Sequence, residues 1–128
     1  MSARARPLTQ SALVWFGVFG APLAWALQHI TGYILSEATC DEAGRGWEVH
    51  SDTWTLAVTG LAAAAACAAG VAALLTFRAN RDAEDDSPPP EGRYYFLSII
   101  GMTITPLFLA MILMSGLGSA LLSGCPQS

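Results

Sequence analysis

Three stretches without a charged residue dominate this chain: Ser11 to Ser36, Thr53 to Phe77 and Tyr94 to Ser128. Each exceeds the roughly 20 residues a helix needs to cross a ~30 Å hydrocarbon layer. Lipid offers backbone N–H and C=O groups no partner, so segments this apolar must bond to themselves, as helices. The expected fold is all-α and integral to a membrane. It is a single membrane domain, residues 1–128, with helices over about 11–36, 53–77 and 94–122, an outer loop 37–52 and a cytoplasmic loop 78–93. A hydrophobic content of 53% with only 12% charged residues is high for a soluble domain. The first run is longer than the ~7–15 residues of a secretory signal core and is expected to be retained.

Orientation comes from arginine alone, because the chain has no lysine. Arg4 and Arg6 precede the first helix, and Arg78, Arg81 and Arg93 lie in the second loop; only Arg45 lies in the first. Positive residues stay on the cytoplasmic side, so the N-terminus is expected inside and the C-terminus outside. The net charge of −4 and the lack of a basic patch exclude nucleic acid as a partner.

Within the spans, Pro22 and Pro106 each remove a backbone hydrogen bond and are expected to bend their helices. Asp52 suits the N-cap of the second helix. That helix is an alanine-glycine rod, "GLAAAAACAAGVAALL", in which Gly60, Ala64, Ala68 and Ala72 recur every fourth residue. Small residues at that spacing let two backbones approach, which makes the second helix the expected packing centre. On the third helix, Met111, Ser115, Ser119 and Ser123 form a similar stripe beside Gly116 and Gly118. No heptad pattern stands out. The loop "RANRDAEDDSPPPEGR" reads as a solvated, extended connector.

The candidate chemistry gathers in "WALQHITGYILSEATC", Trp25 to Cys40. His29, Tyr33 and Glu37 share one helix face at i+4 steps and rise toward the outer surface. An ionisable group at membrane depth is a functional-site hypothesis by default. Three roles for His29 stay open: a hydrogen bond to a carbonyl across the bundle, haem ligation, or a proton or quinone site shared with Tyr33. The first is the ordinary use of a polar residue inside a helix bundle. His50, the other histidine, lies at or above the interface, too high to share a haem with His29.

Cys40 and Cys125 each follow an outer helix end, on the side where thiols oxidise, and are expected to form a disulfide. A copper site built from these thiols and methionines remains a lesser alternative. Cys67, at mid-span, reads as a small packing residue. The outer loop carries Glu37, Asp41, Glu42, Glu48 and Asp52 against Arg45 alone, a surface that attracts a cationic partner if it is more than a solvated loop. No phosphate loop, dinucleotide fingerprint, HExxH, GxSxG or paired-cysteine metal motif occurs. No catalytic or metal-binding residue is therefore assigned, and the chain is not expected to be an enzyme.

Two resemblances add to this. In "WFGVFGAPLAWALQHITGYILSEATC" and "FLSIIGMTITPLFLAMILMSGLGSALLSGC" the chain resembles small three-helix bacterial membrane proteins encoded beside haem–copper cytochrome c oxidase genes. That resemblance implies a multi-pass protein of the bacterial inner membrane. It would be a non-catalytic accessory or assembly subunit of a larger respiratory complex, surrounded by lipid and holding no cofactor of its own. The segment "QHITGYIL" is also similar to the "HRxTG" segment of succinate dehydrogenase membrane anchors, with Ile30 in place of the arginine. This second resemblance implies haem b or quinone held for electron transfer, with His29 and Tyr33 as the cofactor residues.

Overall fold

The computed structural model describes residues 7–40, 51–81 and 91–121. They form α1 (Pro7–Cys40), α2 (Ser51–Asn80) and α3 (Glu91–Leu121), with no strand among the described residues. All three are long and apolar enough to cross a membrane, over Thr9–Glu37, Thr53–Asn80 and Gly92–Leu121. The helices outrun the charge-free stretches because only the solvent changes where the charges begin. Pro7 suits the first helical position, where its missing N–H is not needed. Arg78 in the last turn of α2 opposes the negative end of the helix dipole. α1 and α3 continue through Pro22 and Pro106.

The helices run up, down and up, and all three pairs touch. Cross-contacts fix one register. Gly17 meets Ala73, Gly20 meets Ala69 and Gln28 meets Thr59, so α1 and α2 are antiparallel. Gly17 meets Gly101 and Gln28 reaches Ile112, so α1 and α3 are parallel. Gly70 meets Thr105, and Gly116 abuts Thr59.

The side chains buried between them are small: Val14, Val18, Ala21 and Ala24 from α1, Ala62, Ala66, Ala69, Ala72 and Ala73 from α2, and Ile112 from α3. Large apolar side chains point outward instead, among them Phe19, Leu23, Leu61, Leu107, Met114 and Leu121. A water-soluble bundle would reverse this. In lipid the tails are as apolar as leucine, so association depends on close packing and interhelical hydrogen bonds rather than on hiding bulk.

Glycine makes that closeness possible at specific points. A Cβ on Gly101 would lie 2.7 Å from the Gly17 carbonyl oxygen and 3.0 Å from the Ala73 Cβ. One on Gly20 would lie 2.7 Å from the Ala69 Cβ. Gly60, Gly32 and Gly118 face open space.

The face α2 buries corrects the expected one. Thr59, Ala62, Ala66, Ala69, Ala73, Thr76 and Asn80 are buried, in alternating steps of three and four residues. This is a heptad rhythm, the pattern of helices wrapped with a left-handed twist. Gly60, Ala64 and Ala68 lie on the exposed side, and of the four residues in the expected stripe only Ala72 is buried. In a segment made almost entirely of alanine every face is small, so small size cannot select one. The buried threonines and the asparagine do.

Candidate functional site

Gln28 sits where the three helices meet, toward the end of the bundle at which α1 finishes and α2 begins. Its side chain is buried, and its Nε2 donates to Thr59 Oγ1 at 3.0 Å and to the Ile112 carbonyl at 3.1 Å. One amide thus ties α1 to both neighbours. Thr59 can be reached because Gly116 presses against its Cγ2 and leaves no side chain in the way. Gln28 Oε1 and Thr105 Oγ1 are buried without a hydrogen-bond partner among the described residues.

A second polar contact closes the opposite end. Gln10 Nε2 donates to Asn80 Oδ1 at 3.4 Å, and Asn80 Nδ2 donates to the Thr76 carbonyl at 2.9 Å. Thr76 Oγ1 bonds back to the Ala72 carbonyl at 2.8 Å, and Ser98 Oγ to Tyr95 at 2.6 Å. Phe77 stacks on Tyr95 with ring centroids 5.6 Å apart, which pins α2 to α3 at this level. Between the two polar ends lies the alanine-glycine middle.

His29 follows Gln28 in sequence and turns about 100° away from it on the helix. It is exposed. Its ring stacks on Trp25 at 5.5 Å and 25°, and Trp25 meets Phe108 edge-on at 5.7 Å. The structure therefore gives the bundle-crossing hydrogen bond, expected of His29, to its neighbour Gln28. Tyr33 and Glu37 are exposed on the same side as His29. His29, Tyr33 and Glu37 thus form an outward ladder that the bundle itself does not use.

The remaining candidates are dispersed. Ser115 is half-buried, and Ser119 is exposed and donates to the Ser115 carbonyl at 3.0 Å. Cys67 is a free thiol on the exposed side of α2, not a core residue. Cys125 and the side chain of Cys40 lie outside the described residues, as do His50 and Ser123. Among the described residues no three His, Cys, Asp or Glu side chains gather. Arg78, Arg81 and Arg93 are exposed at the end where α2 finishes and α3 begins.

The sequence reading missed Gln28, Thr59, Gln10 and Asn80. A signal for them existed. Gln10 and Gln28 are 18 residues apart, five helical turns, and so share a face; Ser98 and Thr105 are seven apart, two turns. Polar residues in phase along an apolar helix mark the side that faces protein. No family model, curated protein or solved structure matches this chain.

Proposed function

We propose that this chain is a non-catalytic accessory or assembly subunit of a bacterial respiratory membrane complex, in the first instance a haem–copper cytochrome c oxidase. The observation that carries the non-catalytic role is the division of labour among its polar side chains. Gln10, Gln28, Thr59 and Asn80 are spent on holding three helices together. The polar and aromatic groups the bundle does not need, His29 and Tyr33 foremost, face outward. A protein so arranged acts through what it touches. The choice of an oxidase rests on the sequence resemblance around Trp15–Cys40 and Phe96–Cys125. In this reading the N-terminus is cytoplasmic, the chain is embedded in the inner membrane, and Cys40 and Cys125 are paired outside.

A second reading, an anchor that holds haem b or quinone, is favoured by one observation: the His29 imidazole, braced by Trp25, is accessible from outside the bundle. Purification of the tagged chain in mild detergent separates the two. A colourless preparation that brings down oxidase subunits supports the first. A Soret band or bound quinone that is lost on His29→Ala supports the second and removes the first.

A further inference from the structure

We infer that the outer half of α1 is the docking face for one transmembrane helix of a partner protein, which presents a hydrogen-bonding side chain to His29 and a cationic side chain to Glu37. The inference deepens the accessory-subunit reading and rests on it.

Depth is the starting point. The membrane span of α1 is Thr9–Glu37, centred on Leu23. At 1.5 Å per residue His29 lies ~9 Å from that centre, hence ~6 Å inside a hydrocarbon half-layer of ~15 Å. Tyr33 then falls at the boundary, and Glu37 ~6 Å beyond it, among headgroups. A neutral imidazole carries one donor and one acceptor. Arginine or lysine at this depth would extend its head to the interface, but an imidazole is too short to cover ~6 Å. Trp25 holds the ring by stacking and offers it no hydrogen bond.

Among the described residues nothing donates to or accepts from the imidazole, and the unpartnered Gln28 Oε1 and Thr105 Oγ1 are buried inside the bundle. Thr59 and the Ile112 carbonyl are taken by Gln28 on the inner side of α1. A second protein helix supplies what lipid tails cannot, through a side chain or a carbonyl opened by a local break.

Charge selects among such helices. Glu37 is exposed at the top of the ladder, and the sequence that follows, through Asp52, holds Asp41, Glu42, Glu48 and Asp52 against Arg45. The complement is a helix with Arg or Lys at its outer end, ~12 Å above its contact with His29, the rise of eight residues. Tyr33 and Ile30, 66% and 56% exposed, provide the apolar surface between.

The test places a photoreactive benzoylphenylalanine at Tyr33 of the full-length chain in native membranes, with Leu61 on α2 as the reference position. The expected result is one discrete heterologous adduct from position 33 and none of it from position 61. It persists with His29→Gln and Glu37→Asp, and falls roughly three- to tenfold with His29→Leu, the effect of one interhelical hydrogen bond. Glu37→Lys also reduces it. His29 is outside the bundle, so resistance to denaturing detergent checks that each variant is folded. Labelling of lipid alone, an adduct of two copies of this chain, an adduct indifferent to His29→Leu, or a chromophore lost with His29→Leu would each overturn the inference. A His29-dependent adduct to a membrane protein of no respiratory complex keeps the docking face and removes the oxidase assignment. Co-purification with oxidase subunits without any adduct at position 33 does the reverse.

Discussion

Replacement of Gly101 by alanine tests how closely this bundle is packed. The added Cβ would stand 2.7 Å from the Gly17 carbonyl oxygen and 3.0 Å from the Ala73 Cβ. Ordinary carbon-to-carbonyl contacts begin at about 3.3 Å. The gap must widen by roughly half an ångström, and the obstructing atom is backbone, so an entire helix has to move. Overpacking of this kind costs about 1–3 kcal/mol. Alanine recovers about 0.5–1 kcal/mol through its better helix propensity. The net expectation is a loss centred on ~1 kcal/mol, and against a control that shares the propensity gain the full ~1–3 kcal/mol. Gly60→Ala is the matched control: it gains the same propensity and meets nothing. Unfolding in mixed micelles with increasing denaturing detergent, followed by tryptophan fluorescence, reads both. Gly101→Ala should shift the midpoint down, and Gly60→Ala should leave it or raise it. Equal shifts, or a Gly101→Ala protein as stable as the parent, would refute the contact geometry.

The polar node around Gln28 gives a second expectation. In a double-mutant cycle, Gln28→Leu and Thr59→Val should couple by about 0.6 kcal/mol and by no more than about 1.7, the average and maximum for interhelical hydrogen bonds in a membrane, and zero coupling would remove the bond. Cys40 and Cys125 should resist alkylation until a reductant is added to the native protein; free thiols at both positions would contradict the pairing. A reporter fused after Ser128 should be active outside the cytoplasm, and activity inside would reverse the proposed orientation.

The existence of three helices was legible because charge and lipid exclude each other over whole segments, so long charge-free runs leave one structural solution. Their ends were less so, since α1 runs past Ser11 and Ser36 into polar sequence that a helix tolerates. The packing face of α2 was hidden by its own uniformity. Where nearly every residue is alanine, the sparse threonines and Asn80 carry the phase, and a four-residue stripe of small residues does not. Gln28 and His29 show the same difficulty at the site. They are adjacent and both polar, and the roughly 100° between successive residues of a helix decides which points inward. Gln28 shares its face with Gln10, whereas His29 shares its face with Glu37, a charge that belongs in water or headgroups. That contrast was available in the sequence, but it acquires meaning only once Thr59 and Ile112 are placed opposite.

The claim on which all of this depends is that α2 lies in lipid with its threonine-bearing heptad face turned to α1 and α3. Spin labels placed one at a time from position 56 to position 76, in a bilayer, measure it directly through their collisions with oxygen and with a water-soluble nickel complex. The account predicts oxygen minima at 59, 62, 66, 69, 73 and 76, maxima at 60, 64 and 68, and little access to nickel at any of them. Minima at 60, 64 and 68 would contradict the packing, and nickel access throughout would contradict the membrane.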